Sequence, residues 1–132
     1  MDIYETVKTS YERCVEVEGF FADFYETFLA RSTEVSEKFA ETDFKTQNNL
    51  LKASLYMMVV LRDDDPTARE ALERIGETHN RQHHDIRPEL YDQWLDCLIE
   101  TVAKHDPEYT DEIGQAWRER MGPGIDLIRS MY

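Results

Sequence analysis

Few of this chain's residues could make it basic, cross-linked or strand-rich. Lys and Arg number 15 against 28 Asp and Glu among 132 residues, for a formal net charge of -13. So acidic a surface gains nothing by counterion release from a nucleic-acid backbone and is repelled by anionic lipid, which sets both partners aside. Cysteine is scarce: Cys14 and Cys97 both fall inside apolar helical patterns, as expected of buried thiols in a reducing cytoplasm rather than of a disulfide framework. No apolar run is long enough to cross a bilayer, and the opening MDIYETVKTSYER lacks the positively flanked apolar core of a secretory leader. A soluble, cytoplasmic protein is expected. Strand-like alternation of apolar and polar residues is missing as well.

What is present is apolar spacing of three and four almost throughout, which predicts an all-α fold of six to seven helices in one domain, 1–132. A domain of that length buries roughly two thirds of its unfolded surface. Ile3, Val7, Tyr11 and Cys14 or Val15 form a first stripe, which Gly19 ends. Phe20, Phe21, Phe24, Tyr25, Phe28 and Leu29 give a second helix an aromatic face, and a short helix with a turn-rich connection fills ARSTEVSEKFAETDFK. In TQNNLLKASLYMMVVL, residues 46–61, one broad face carries Leu50, Leu51, Ser54, Leu55, Met58 and Val59, so this helix is expected to be the most buried.

The break RDDDP offers Asp65 as N-cap and Pro66 at the first helical position of a helix that aligns Ala71, Leu72, Ile75 and His79. Pro88 opens another, with Leu90, Tyr91, Trp94, Leu95, Leu98 and Val102. A last helix follows KHDPEYTDE through Ile113, Ala116, Trp117 and Met121, and Pro123 in MGPG is expected to kink or end it. Spare apolar surface on these last two helices suggests a homodimer.

Three histidines crowd the stretch LERIGETHNRQHHDIRPELY. His79 sits on the apolar stripe of its helix, whereas His83, His84 and His105 are read as lying in polar loops. An imidazole on an aliphatic face needs a partner for its ring nitrogens, either a hydrogen bond or a metal. The group His79, His83, His84 and Asp85 has i, i+4 spacing, but no second pair of Cys or His stands at a zinc-site distance. Neither EVSE nor ETHN supplies the Glu-x-x-His of a di-metal bundle.

FFADFYETFL, FAETDFKTQNNLL, LERIGETH, IRPELYDQWLDCLIETV and AWRERM follow one another in the order and spacing of bacterial globins. Over nearly its whole length the chain resembles the globin domains of flavohaemoglobins and related single-domain haemoglobins. The resemblance is densest at Ile75, Gly76 and His79 followed by Ile86, Pro88 and Tyr91. The corner NRQHHD is about two residues longer than in flavohaemoglobins. The resemblance implies a three-over-three globin fold holding haem b (iron protoporphyrin IX), with His79 as the proximal iron ligand.

It further implies Phe39, or Phe44 if the corner is drawn differently, as the phenylalanine against the haem face. Tyr25 matches the distal tyrosine, Gln47 the distal glutamine, and Leu51 the apolar contact one turn on. On residue type alone Tyr25 reads as a core tyrosine and Gln47 as an exposed helix-start residue. A phenol and a carboxamide over the open face of a five-coordinate iron would hydrogen-bond bound dioxygen and slow its release. Tyr91 matches the tyrosine that bonds the proximal imidazole, while the register of its glutamate partner falls on Tyr132. Ile75 and Ile86 would flank the haem, and Lys45, Arg81 and Arg87 are cations available to its propionates.

The implied function is reversible binding of O2, NO or CO, for storage, scavenging or protection against nitric oxide and oxidative stress. No FAD or NAD module follows the globin-like region, so nitric oxide dioxygenase turnover would need an external reductase. Gas sensing through a separate signalling protein and a haem-free interaction module are the alternatives.

Overall fold

The computed structural model describes residues 2–60 and 65–132, which form seven helices and no strand. In chain order they are α1 (Ile3–Val15), α2 (Phe20–Arg31), α3 (Thr33–Lys38), α4 (Phe44–Val60), α5 (Pro66–His79), α6 (Glu89–His105) and α7 (Asp111–Ser130). Leu61 of the fourth predicted helix, and Arg62, Asp63 and Asp64 of the break after it, lie outside the described residues.

Local chemistry sets most of these boundaries. Side-chain oxygens of Asp2, Ser32, Asp65 and Thr110 accept from backbone N–H groups in the first turns of α1, α3, α5 and α7, satisfying donors that have no partner within the helix. Gly19, at φ 88, provides the left-handed residue that turns α1 into α2.

Helix α7 packs against α1, α5, α6 and α4, while α2 packs against α6, α3 and α4. The centre of the core is made by Trp117, Phe20, Phe24, Leu55, Leu98 and Met121, all fully buried, and both cysteines are buried free thiols. One expectation is corrected here. Helix α4 is not the most buried: it buries Leu51, Leu55 and Val59, whereas α6 and α7 bury seven residues each. One flank of α4 faces a cleft beside α5 rather than the core, and Leu50 is 56% exposed. Of the two outcomes expected at MGPG, a kink or an end, the end does not occur: the last helix runs on through Pro123 to Ser130.

The exposed large apolar side chains among the described residues are Ile3, Leu50 and Tyr56, none of them on α6 or α7. On those two helices Trp94, Leu95, Ile113 and Leu127 are half-buried. No helix among the described residues is long and apolar enough to cross a membrane.

A polar network ties the two ends of the chain together. Asp106, just past α6, is 3% exposed and accepts from Ser10 Oγ at 2.6 Å, from Arg13 Nε at 2.6 Å and Nη2 at 2.9 Å, and from the Glu108 backbone at 2.9 Å. Ser10 Oγ in turn accepts from Trp117 Nε1 at 3.0 Å, so α1, α7 and the connection after α6 share one hydrogen-bonded knot.

Close packing also explains Gly114. A Cβ there would overlap the Tyr109 hydroxyl and stand 3.1 Å from ring carbon Cζ, and the ring cannot fold aside as a flexible chain could. Gly114→Ala is expected to cost about 1–3 kcal/mol by urea denaturation. Gly122→Ala, with nothing within 4 Å of the added carbon, serves as the control and should show no loss.

Candidate functional site

Helices α2 and α4, with Phe39 at the end of α3, bring four residues of the sequence reading together. Gln47 Nε2 donates to Tyr25 Oη at 2.9 Å. The Tyr25 ring lies 5.5 Å from both Phe39 and Phe44, whose rings are 6.0 Å from each other, so the two candidate phenylalanines occupy one aromatic cluster. Phe44 is the first residue of α4, which places it next to Gln47 one turn on. Leu51, a turn further, is buried. Burial pushes the Tyr25 hydroxyl up to about 12, against the bond from Gln47, which pulls the other way. Tyr25 is thus a neutral phenol at physiological pH, and because its oxygen accepts from Gln47, its own proton is left to donate elsewhere.

On α5, His79 is half-buried in the last turn. Its Nδ1 lies 2.8 Å from the Ile75 carbonyl oxygen and 2.9 Å from Thr78 Oγ1. A carbonyl can only accept, so Nδ1 carries the proton and Nε2 keeps its lone pair. Burial holds the His79 imidazole below the usual histidine range; the Ile75 bond opposes this and His84 reinforces it. Gly76 lets α7 approach this turn: a Cβ there would stand 2.5 Å from Met131 Sδ.

The long corner after α5 is held by its own backbone. His84 N donates to Thr78 O at 3.0 Å, Asp85 N to Asn80 O at 2.8 Å and Ile86 N to His79 O at 2.9 Å, with Asp85 at φ 52. Tyr132 Oη donates to Asp85 Oδ1 at 2.6 Å, and Arg81 both donates to the Tyr132 carbonyl and stacks on its ring. His83 and His84 are exposed, and no group of three or more His, Cys, Asp or Glu able to hold a metal ion occurs among the described residues. The polar-loop reading of His105 is corrected. It is the last residue of α6, half-buried, with Nε2 2.7 Å from Asp23 Oδ2 and its ring against Phe20.

Ile75 and Ile86 are half-buried on the edge of the core. Tyr91 is buried, and desolvation pushes its hydroxyl up to about 12 although Arg129 draws it down. It makes no hydrogen bond to His79 among the described residues, because the imidazole proton is already given to Ile75. Of the three rim cations, Arg87 is engaged by Glu34 and Glu89 and Arg81 by Tyr132, leaving Lys45, which is exposed at the start of α4. Sequence reasoning overlooked Thr78, beside the imidazole, and Asn48, whose Oδ1 is buried without a partner one residue after Gln47. Both sit next to residues picked out by motif, and adjacency to a motif was the available signal.

The sequence profile described as Globin matches residues 22–123, most of the chain. This chain belongs to the globin family. Among solved structures, the globin resembles a Pseudomonas aeruginosa PAO1 protein described as structurally highly homologous to a human hemoglobin. The two are 42% identical, with a TM-score of 0.90 over 99% of this chain and 98% of that one. No curated protein gives a match to this globin. The all-α globin fold read from the sequence is therefore the fold of the molecule.

Proposed function

We propose that this globin binds haem b, iron protoporphyrin IX, through His79 and takes up a diatomic ligand, O2, NO or CO, reversibly. The observation that carries the reading is the bond from His79 Nδ1 to the Ile75 carbonyl. It fixes the ring's orientation and tautomer, and leaves the second nitrogen as a neutral donor on an apolar helix face, the arrangement typical of an imidazole ligand. The donor set fits a single-ligand haem iron better than a structural zinc, which takes four. When bound, the haem supplies an open iron coordination position that accepts a small ligand.

The chain's own residues do the rest. His79 orients the macrocycle, and the aromatic cluster of Phe39 and Phe44 excludes water from the ligand side. Tyr25 donates its hydroxyl proton to a polar diatomic ligand, and Gln47 holds the phenol in place. Titration with hemin tests the reading directly: a stoichiometric Soret band is expected, and a protein that takes up no hemin overturns it.

Tyr25→Phe removes one donor without changing the ring's bulk. A hydrogen bond of about 1–3 kcal/mol is lost, so O2 release measured by stopped flow should speed up by roughly 5- to 150-fold. CO release, with little charge on the ligand, should change far less. An unchanged O2 off-rate would remove Tyr25 from the pocket.

A further inference from the structure

Thr78 and Ile75, one and four positions before His79 on α5, stand in the wall of a cavity of about 310 Å3 between α4 and α5. This cavity is therefore the part of the proposed haem cleft that runs from the imidazole toward the start of α5. Carbon lines most of it, with Ala53, Met57, Met58, Ala71 and Leu72 continuing the apolar wall from Ile75. Its rim is exposed at Ala53, Arg74 and Thr78.

A flat apolar macrocycle suits such walls, but haem carries two carboxylates, and a carboxylate beside apolar surface needs water or a cation. Arg74 is the one charged side chain in the wall, and it makes no hydrogen bond or ion pair among the described residues. Other arginines nearby are engaged: Arg69 holds Glu73 at 3.0 Å, Arg81 holds the Tyr132 carbonyl and Arg87 holds Glu34. Lys45, at the start of α4, is not part of this wall. In a chain with 28 carboxylates and 15 cations, a guanidinium left over at the rim of the cleft is complementary to acid groups that arrive with the cofactor.

The spacing on α5 agrees. Arg74 and Thr78 are four residues apart and share one face of the helix, and Thr78 Oγ1 is 2.9 Å from His79 Nδ1. Arg74 precedes His79 by five residues, about 7.5 Å along the helix axis, so a group held by the imidazole can bring its acid edge to the guanidinium.

We infer that Arg74 is the cation that holds the carboxylates of the cofactor, so that the acid edge of the macrocycle faces the rim between α4 and α5 rather than the corner after α5. This rests on the haem reading and adds to it a residue that the motif order did not mark.

Transfer of hemin, and of hemin dimethyl ester with its carboxylates uncharged, from the loaded globin to an excess of a haem-free acceptor protein tests this. The rate is read from the Soret band. Wild-type protein should release the ester faster than hemin, by a margin that narrows as salt is raised. Arg74→Met keeps the helix propensity and should release hemin roughly three- to tenfold faster, between the effects of an exposed ion pair and of a buried charge-assisted bond. Release of the ester should stay at the wild-type rate, and Arg74→Lys should recover part of the loss for hemin. Lys45→Met should leave both rates unchanged. A hemin rate unmoved by Arg74→Met overturns the inference, as does an equal rise for hemin and ester, which would make the side chain a packing element only. A margin that closes in Lys45→Met instead overturns it in favour of Lys45. Wild-type protein that takes up neither porphyrin fails the haem reading itself, whereas uptake of both with equal release fails only the role of Arg74.

Discussion

His79→Ala is expected to leave a folded protein that forms no stable Soret complex with hemin, while His83→Ala and His84→Ala keep the wild-type spectrum. The three histidines lie within one corner, so the contrast is a sharp one. Disturbing only the outer hydrogen-bond partner of a ligating histidine typically costs 10–100-fold in affinity, and removing the ligand itself should exceed that. His79 is the one half-buried member, and its Nδ1 is committed to Ile75; the other two rings are in solvent. Burial, ahead of the opposing Ile75 bond, lowers its proton affinity, so the neutral, ligating form prevails at pH 7. In the haem-free chain the sign follows directly. A histidine with a depressed folded pKa contributes stability that is complete above about pH 6.5 and declines as the pH falls below it. An unchanged Soret band in His79→Ala would end the assignment.

The second large effect lies away from the site. Asp106→Ala deletes the acceptor of four hydrogen bonds and strands Ser10 and the partly buried Arg13. Breaking such a pair costs about 3–5 kcal/mol, which for a domain of this size lowers Tm by roughly 10–20 °C. Asp106→Asn should be milder, since an amide oxygen can still accept from Ser10. Burial alone would raise the Asp106 pKa, but Arg13, Ser10 and the Glu108 N–H together outweigh it and hold the carboxyl below its usual range. A depressed carboxylate pKa gives stability that is full above about pH 4 and is lost as the pH falls through the folded value. The wild type should accordingly lose Tm below pH 4, and Asp106→Ala should show a shallower acid slope. A Tm within about 2 °C of wild type would show that the knot contributes little.

Helix identity was readable because it depends on spacing: every helix but the short α3 follows apolar periodicity, and Asp65 with Pro66 starts α5 as expected. The globin order of motifs supplied Tyr25, Phe39, Phe44 and Gln47, residues 22 positions apart at the extremes, which no local pattern could have joined. What stayed hidden depends on three-dimensional partners. Asp106 reads as one more acid in a turn until Ser10 and Arg13 are placed against it, 96 and 93 residues away in sequence. The burial of α4 was overstated because an apolar face looks the same whether it meets protein or a cleft. His105 was misplaced because its partner, Asp23, lies on another helix.

Pro123 leaves the Glu119 carbonyl without an acceptor bond inside α7, so the segment that ends in Met131 and Tyr132 is joined to the Trp117 half by a weakened seam. That segment presses on Gly76 and clasps the Asp85 corner. The turn that carries His79 is thus backed by the tail of the chain, on the far side of Pro123 from the Trp117 core.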